Sequence, residues 1–232
     1  MIKVKDLTKC YGKITALSHV TVEFDDAKTV AIMGENGAGK STLLKIIAGI
    51  LPYDSGDIIV DNYSIAIQSL QARERLGYLP EIPDLYERIT GREFLFYIAS
   101  LRKLSDAENI IDRLSKMIGI DDALEYEIGG YSKGMKQKVS LLSAILHAPH
   151  NLLLDEPVYG LDPLASRTIQ DFIQKRQGTT VLATHSTQLV EHVADAVYFL
   201  MHGKIIAYDS VSHLMKEFGS VENAYFFYKE SK

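Results

Sequence analysis

The sequence contains little of several residue types, and each shortage excludes a class of protein. Among 232 residues there is one cysteine, Cys10, and no tryptophan. A single cysteine excludes an intrachain disulfide framework and a multi-cysteine metal site, and it is consistent with a reducing compartment. The six prolines are scattered, and no repeat, low-complexity segment or Gly/Ser linker interrupts the chain. The composition therefore predicts one continuous globular unit.

Long apolar runs and an excess of positive charge are also missing. The longest apolar stretches, such as FLFYIASL at 94–101, are far shorter than a membrane span, and the N-terminus lacks the apolar core of a signal peptide. Lys and Arg number 25 against 30 Asp and Glu, a net charge of −5. This net negative charge gives no overall positive potential that would attract nucleic acid or anionic lipid. We expect a chain that is soluble by itself, binds no nucleic acid and reaches a membrane only through a partner.

Strand patterns occupy both ends of the chain. The segments VTVEF, KTVAIMG and SGDIIVDN in the first part show the alternation or the short apolar runs of strands. After residue 148 strand patterns return in NLLLDEP, TTVLATH and AVYFLMHGKIIAYD, the last with a hairpin around His202 and Gly203. The closing stretch SVENAYFFYKESK is predicted to be a helix whose aromatic side chains pack on the body.

The intervening residues 88–148 have a helical pattern. Thr90 is followed three residues later by Glu93, and Ser105 by Glu108, so two capping-box patterns occur in succession. The sequence therefore predicts a strand-rich body that is interrupted by a helical insertion.

The stretch GENGAGKS at residues 34–41 carries the strongest functional signal. It matches G-x-x-x-x-G-K-[ST] and lies between an apolar strand and an amphipathic helix, the context that supports a phosphate-binding loop. Backbone N–H groups and the helix dipole then face the phosphates, with Lys40 on the β- and γ-phosphates and the Ser41 hydroxyl on Mg²⁺. The predicted nucleotide-binding residues are Gly34, Glu35, Asn36, Gly37, Ala38, Gly39, Lys40, Ser41 and Thr42.

Two further strands end in polar residues that face the same crevice if the sheet is parallel. LLLDE places Asp155 and Glu156 at one strand end, and LATHS places His185 at another. Asp155 is predicted to hold Mg²⁺, and Glu156 to orient or deprotonate the water that attacks the γ-phosphate. His185 is predicted to contact the γ-phosphate and to hold the water and Glu156 in place.

The order of these motifs resembles that of the nucleotide-binding subunit of ABC transporters, over essentially the whole chain. CYGKITAL resembles the adenine-stacking loop, with Tyr11 as the ring, and GYLPEIPDLY stands where the family has its glutamine loop. YSKGMKQK at residues 131–138, here called the signature segment, stands where the family has its signature. YGLDP with Asp162 is similar to the loop after the acidic pair, and His185 to the switch histidine.

The resemblance implies an α/β fold, a P-loop NTPase (RecA-like) core with an antiparallel β subdomain and an inserted α-helical subdomain. It implies one ATP-binding domain over residues 1–232. Residues 1–87 and 149–232 are expected to form the catalytic core with its β subdomain, and residues 88–148 the helical subdomain that carries the signature segment.

Two departures from the family pattern concern proposed ligands. Glu81 stands where the family has glutamine, and it is expected either to ligate Mg²⁺ or to point toward a partner subunit. In the signature segment Ser132 and Gly134 match the family, whereas Lys133 and Met135 replace a glycine and a glutamine. Ser132 and Gly134 are expected to bind ATP that is held by the partner subunit, because in the family two copies enclose two nucleotides.

The resemblance implies an ATPase that works with Mg²⁺ in a head-to-tail dimer, a homodimer or a pair with a similar subunit. It implies that ATP hydrolysis drives transport through a separate membrane permease, from the cytoplasmic face of the membrane. The groove expected near LPEIPDLYERITGREF is a candidate site for a permease segment. YLPE is similar to the drug and small-molecule exporter branch, so export is expected.

Three other functions remain as alternatives. A soluble ABC-type ATPase that acts on ribosomes or DNA usually has two tandem nucleotide domains, a long coiled-coil insertion or basic extensions, and none is present. A GTPase needs an Asn-Lys-x-Asp motif, which does not occur here, and a small-molecule kinase leaves the signature segment and His185 unexplained.

Overall fold

The computed structural model describes residues 1–231, so Lys232, the last residue of the predicted domain, lies outside the described residues. The strands are β1 (Ile2–Tyr11), β2 (Ile14–Phe24), β3 (Thr29–Met33), β4 (Ser55–Val60), β5 (Tyr63–Ser64), β6 (Leu76–Leu79), β7 (Asn151–Asp155), β8 (Thr179–Thr184), β9 (Ala196–Met201) and β10 (Lys204–Ser210). The α-helices are α1 (Lys40–Ile47), α2 (Ser69–Glu74), α3 (Gly91–Leu101), α4 (Ala107–Ile118), α5 (Lys133–Ile145), α6 (Pro163–Lys175), α7 (Thr187–Val193), α8 (Val211–Phe218) and α9 (Val221–Glu230).

The larger sheet has the order β10-β9-β3-β8-β7-β6, and all of its pairs are parallel except β9 with β10. Every residue of β7 and β8 is buried, which explains their uninterrupted apolar character, since helices cover both faces of such sheets. The carboxyl ends of β3, β7 and β8 therefore meet at one edge. The phosphate loop follows β3, Asp155 is the last residue of β7, and His185 directly follows β8.

The smaller sheet is antiparallel, with the order β2-β1-β4-β5. Its strands alternate buried and exposed residues, so one face is covered. Leu17, Val20 and Ile58 on the covered face share one apolar cluster with Leu43 and Leu44 of α1. The smaller sheet thus packs on the helix that begins at the phosphate loop.

The helical region contains α3, α4 and α5, and one of its two predicted capping boxes is confirmed. The Glu93 N–H donates to Thr90 Oγ1 at 3.1 Å, and the Thr90 N–H donates to Glu93 Oε2 at 2.8 Å. The prediction for Ser105 was wrong. The N-cap of α4 is Asp106, and its Oδ1 accepts from the Asn109 side chain at 2.7 Å rather than capping the helix backbone. The helix begins one residue later than predicted, so Ser105 stands outside it.

The predicted hairpin and the predicted C-terminal helix are both confirmed. His202 and Gly203 have φ values of 47° and 75°, which fits the two-residue turn that joins twisted strands. In α9 the Tyr225 and Tyr228 rings lie 5.8 Å and 5.6 Å from the Phe199 ring, centroid to centroid. Within residues 1–231, none of the helices combines the length and the apolar character that crossing a membrane requires.

Candidate functional site

A cleft of about 330 Å³ lies at the sheet edge where β3, β7 and β8 end. The residues that line it are Ala16, Asn36, Gly37, Gly39, Lys40, Ser41, Thr42, Glu81, Glu156, Tyr159 and His185. The cleft thus brings together six residues of the phosphate loop and its helix with Glu81, Glu156 and His185, which the sequence analysis had selected separately.

The loop backbone needs two of its glycines for steric reasons. A Cβ on Gly34 would lie 2.1 Å from the carbonyl oxygen of Leu200 on β9. Gly39 has a φ of 109°, and a Cβ there would lie 2.6 Å from the Ala16 carbonyl oxygen. Gly39 is also the N-cap of α1 and offers no side chain to cap it. The first N–H groups of α1 therefore lie at the wall of the cleft, where an anion is a suitable partner.

Lys40 is held inside the turn of the loop. Its Nζ donates to the carbonyl oxygens of Gly34 and Glu35 at 2.8 Å and 3.1 Å, and it lies 3.8 Å from Glu156 Oε1. Burial lowers the pKa of the Lys40 ammonium, while the nearby carboxylates act in the opposite direction. The ammonium is a positive charge in a partly desolvated place, which favours its interaction with phosphate.

Ser41 and Asp155 meet although 114 residues separate them in the chain. The Ser41 hydroxyl donates to Asp155 Oδ1 at 2.9 Å, and Asp155 is only 1% exposed. Burial raises the pKa of the Asp155 carboxyl to about 6, the Ser41 hydrogen bond opposes that rise, and the charges of Glu81 and Glu156 add to it. A hydroxyl and a carboxylate at a helix N-terminus form an oxygen donor set of the kind Mg²⁺ prefers.

Glu156 is held by several groups at the end of β7. Its Oε1 lies 2.7 Å from Nδ1 of His185, and its Oε2 accepts from the Thr184 hydroxyl at 2.9 Å. The residue has a left-handed φ of 47°, and its N–H donates to the Ala183 carbonyl at 2.9 Å. This unusual backbone turns the side chain away from that of Asp155, so the two neighbouring carboxylates take different partners.

Several predicted ligands lie outside the lining of this cleft. Asp155 is buried and touches the lining through its bond with Ser41. Gly34 and Ala38 are buried residues of the loop, and the Glu35 side chain pairs with Lys229 of α9. Tyr11 is half-exposed at the end of β1, with the Lys9 ammonium 5.2 Å from its ring centroid.

Ser132 and Gly134 are also absent from the residues that line the cleft. Ser132 Oγ accepts from the Met135 N–H at 3.2 Å and so caps α5. Gly134 is buried, and a Cβ there would lie 3.2 Å from Cβ of Ala165. In the described chain Ser132 is therefore exposed outside the cleft, and Gly134 is buried next to α6.

Three residues at the sheet edge where Glu156 and His185 lie, here called the reacting edge, were missed by the sequence analysis. Ala16 and Tyr159 line the cleft, and Thr184 bonds Glu156. Thr184 directly precedes His185 at a strand end, so its position was available as a signal. Ala16 carried no signal, because only the packing of the smaller sheet against Gly39 brings it to the cleft.

Comparison with known proteins bears on the family. A family model described as ABC transporter matches residues 17–159. The chain is 34% identical over 220 residues to the ABC transporter ATP-binding protein NatA of Bacillus subtilis (strain 168), covering 92% of this chain and 89% of NatA. It is 32% identical over 226 residues to the lantibiotic transport ATP-binding protein SrtF of Streptococcus pyogenes, covering 96% and 93% of the two chains.

Solved structures agree with these sequence relatives. One described as the ATP-binding subunit of an ABC transporter superposes with a TM-score of 0.90 at 32% identity, over 99% of both chains. A dimeric ATP-binding cassette in a post-hydrolysis state, bound to ADP and Pi, superposes with a TM-score of 0.84 at 23% identity, over 90% of this chain and 98% of that one. These likenesses confirm the predicted fold class, the α/β core of a P-loop NTPase with its antiparallel sheet and inserted helices.

Proposed function

Since this chain belongs to the ABC transporter family, as an ATP-binding subunit that hydrolyses ATP, we propose that it uses Mg²⁺ and a second nucleotide-binding subunit to drive a separate membrane permease. The observation that carries this proposal is that Lys40, Ser41, Glu156 and His185 line one cleft, where Glu156 pairs with His185 and Ser41 bonds the buried carboxylate of Asp155. The alternative of an ATPase directed at ribosomes or DNA is not favoured by relatives such as SrtF, whose name refers to transport.

For the domain organisation we propose one ATP-binding domain. Residues 1–87 and 149–232 form the catalytic core with the β subdomain, and residues 88–148 form the helical subdomain. Support comes from α3, α4 and α5, which lie within 88–148 and share an apolar cluster with Leu152, Leu154 and Leu182 of the larger sheet. The shared cluster indicates that the helical subdomain is supported by the core.

In the proposed site the phosphate loop binds the triphosphate of ATP. Lys40 is the cation for the β- and γ-phosphates, and the uncapped N–H groups at the start of α1 donate to phosphate oxygens. Ser41 and Asp155 are the proposed Mg²⁺ ligands, with Glu81 as a further candidate because it lines the cleft. An Mg²⁺ ion held by these residues would supply positive charge that offsets the negative charge of the phosphates.

Glu156 is the proposed general base for the attacking water. The residue is 7% exposed and lines the cleft, so its carboxylate is placed to accept a proton where little bulk solvent competes. Thr184 and His185 occupy one oxygen each, which leaves the carboxylate with a defined orientation. A base held in one orientation lowers the entropic part of the barrier.

We propose that Ser132 and Gly134 face ATP held by a second subunit. The signature segment is exposed at Ser132 and Lys133 and does not line the chain's own cleft. Tyr11 is the proposed adenine-stacking residue, because its ring is half-exposed. A homodimer in which each chain supplies one phosphate loop and one signature segment completes two such sites.

The permease contact that we propose is a second groove, of about 350 Å³. None of its lining residues lies within LPEIPDLYERITGREF at 79–94, the segment near which the contact was expected from the sequence. The groove lies between the end of α1 and the helices α3 and α5, and it combines the exposed apolar side chains of Ile50 and Leu101 with the guanidinium groups of Arg73 and Arg102. A permease segment with an apolar face and a carboxylate fits this surface. Such a contact holds the subunit at the cytoplasmic face of the membrane.

Export of a drug-like or peptide compound is the transport direction that we propose. SrtF of Streptococcus pyogenes is named for lantibiotic transport, BcrA of Bacillus licheniformis for bacitracin transport and LnrL of Bacillus subtilis for linearmycin resistance. All three names refer to transport of, or resistance to, a compound of this kind. A transport assay with inside-out vesicles that contain this chain and its permease distinguishes export from import.

The substitution Glu156→Gln tests the core of the proposal. Loss of the base is expected to lower ATP turnover by about 10²- to 10⁴-fold, to leave ATP binding intact, and to trap a dimer that forms only with ATP. Turnover is measured by phosphate release and the dimer by light scattering. Glu222→Gln, at an exposed site on α9, is the matched control. Turnover near the wild-type rate in Glu156→Gln would show that Glu156 is not the base.

A further inference from the structure

A row of side chains joins the signature segment to the reacting edge of the same chain. The Lys133 Nζ lies 5.0 Å from the centroid of the Tyr159 ring. The Tyr159 ring meets the His185 ring edge to face, with the centroids 5.3 Å apart and the planes at 69°. Nδ1 of His185 in turn lies 2.7 Å from Glu156 Oε1. Four side chains from three different segments therefore form a continuous row of contacts, from Lys133 through Tyr159 and His185 to Glu156.

The loop between β7 and α6 is shaped to hold Tyr159 in this place. The Tyr159 N–H donates to the Glu156 carbonyl at 3.1 Å, so a tight turn fixes the backbone of Tyr159 close to that of Glu156. Gly160 has a φ of 66°, and a Cβ on it would lie only 2.4 Å from the Lys133 Nζ. The missing side chain leaves the room in which the ammonium reaches the aromatic ring.

His185 needs such a support because its own side chain is 41% exposed. One hydrogen bond to Glu156 fixes a ring nitrogen but leaves the ring free to rotate about that contact. An aromatic neighbour in an edge-to-face arrangement limits this rotation, since the edge of one ring is attracted to the face of the other. Tyr159 is the aromatic neighbour of His185 in the described chain.

We propose that Tyr159 is a positioning residue, which holds His185 in the orientation that meets Glu156, and that Lys133 positions Tyr159. This inference rests on the proposed roles of Glu156 and His185. Because Lys133 directly follows Ser132, the row connects the surface proposed to face one ATP with the edge proposed to hydrolyse the other. The contact with Tyr159 would explain why lysine stands at residue 133, where the family has glycine.

The kinetic test compares Tyr159→Leu with Tyr159→Phe. The leucine variant removes the ring and is expected to lower kcat about five- to tenfold with KM for ATP changed less than about twofold, since only orientation is lost. The phenylalanine variant keeps the ring and is expected to restore kcat to within about twofold of wild type. Equal loss of kcat in both variants, or a rise in KM that accounts for the whole effect, would overturn the proposal.

A spectroscopic test separates this inference from the proposed hydrolysis. In nucleotide-free protein the Tyr159 ring shifts the NMR signals of the His185 ring protons, which a His185→Gln variant identifies. Those signals are expected to move to solvent-like positions in Tyr159→Leu and to stay near their wild-type positions in Tyr159→Phe. If they do not move in Tyr159→Leu, Tyr159 does not position His185, whatever the rate of hydrolysis.

A third variant tests the role of Lys133. Lys133→Met removes the cation and is expected to produce a smaller displacement of the same His185 signals, in the same direction as Tyr159→Leu. In a Tyr159→Leu background the Lys133→Met change is expected to have no further effect, because the ring that transmits it is gone. Additive displacements in the double variant would show that Lys133 acts by another route.

Discussion

The phosphate loop and the signature segment look alike in sequence but differ in structure. Both combine glycine and lysine at the start of a helix. In the loop α1 has no side-chain cap, and its Lys40 is buried against carbonyl oxygens and Glu156. In the signature segment Ser132 caps α5.

The three lysines of the signature segment all interact with groups of their own chain. Lys133 lies over the Tyr159 ring, Lys136 donates to Glu87 at 2.7 Å, and Lys138 donates to the Gly119 carbonyl at 3.0 Å. The comparison teaches that a basic, glycine-containing helix start binds an anion by itself only when its N–H groups and its cation are directed into one enclosed place.

The largest difference expected between the two regions is in how much each of their lysines contributes to ATP affinity. Lys40→Met removes a buried cation, and ATP binding by the monomer is expected to weaken about 10²-fold, equivalent to roughly 3 kcal/mol. Lys133→Met, the matched control in the signature segment, is expected to change monomer affinity less than about twofold, because exposed charges contribute little. Both affinities are measured by titration at a protein concentration too low for dimers. An equal loss of ATP affinity in the two variants would contradict the assignment of Lys40, and not Lys133, to the chain's own ATP site.

A pH effect is expected where the helical region joins the sheet. His147 follows α5, and its Nε2 lies 3.0 Å from the Leu76 carbonyl oxygen of β6, while its buried Nδ1 has no hydrogen-bond partner among the described residues. Burial lowers the pKa of the His147 imidazole from 6.5 to about 4. Because the folded pKa lies below the unfolded one, the unfolded chain takes up the proton first as the pH falls. Stability is therefore lost between these two values, by about 1 to 2 kcal/mol near pH 5.

The variant His147→Gln isolates this contribution. Urea unfolding of both proteins at neutral pH and near pH 5 is expected to show a smaller acid loss in the variant. Asp155 acts in the opposite direction, because its folded pKa is raised, but it is present in both proteins and cancels. An identical acid loss in the two proteins would contradict the role of His147.

An effect of similar size is expected at the surface of the signature segment. Ser132→Arg, in a Glu156→Gln background, is expected to lower the amount of ATP-dependent dimer at least about tenfold, or roughly 1.4 kcal/mol, because a bulky charge stands where the partner approaches. Ser105→Arg places the same side chain at an exposed serine elsewhere in the helical region. The dimer is measured by size-exclusion chromatography. Loss of monomer ATP binding in Ser132→Arg would mean that Ser132 belongs to the chain's own cleft.

The smallest expected effect concerns the helix caps. Thr90→Ala breaks a complete capping box and is expected to lower the free energy of unfolding by about 1 kcal/mol. Ser105→Ala is expected to change it by less than about 0.5 kcal/mol, because Ser105 does not cap α4. Denaturant unfolding measures both, and ATP affinity is expected to stay constant. A similar loss in the two variants would show that Ser105 contributes to the helix start.

The parts of the cleft that follow strands directly were predictable from the sequence. An apolar run that ends in Asp155 or in His185 needs a buried strand, and parallel strands bring their carboxyl ends together. Tyr159 was not predictable as a lining residue, because its place depends on the tight turn after Glu156 and on the room at Gly160. Ser105 was mispredicted, because two neighbouring residues, Ser105 and Asp106, are both good caps and only the path of the chain selects between them.

The sequence by itself determined the phosphate loop, the strand-end acids and the order of motifs, because these depend on residue type and local spacing. Only the tertiary structure decided that Ser41 bonds Asp155 and that Glu156 bonds His185, contacts that join separate strands. It also decided that the signature segment lies outside the cleft and that Lys133 meets Tyr159. The physical reason is that side-chain partners are selected by the packing of whole sheets and helices, which no local pattern encodes.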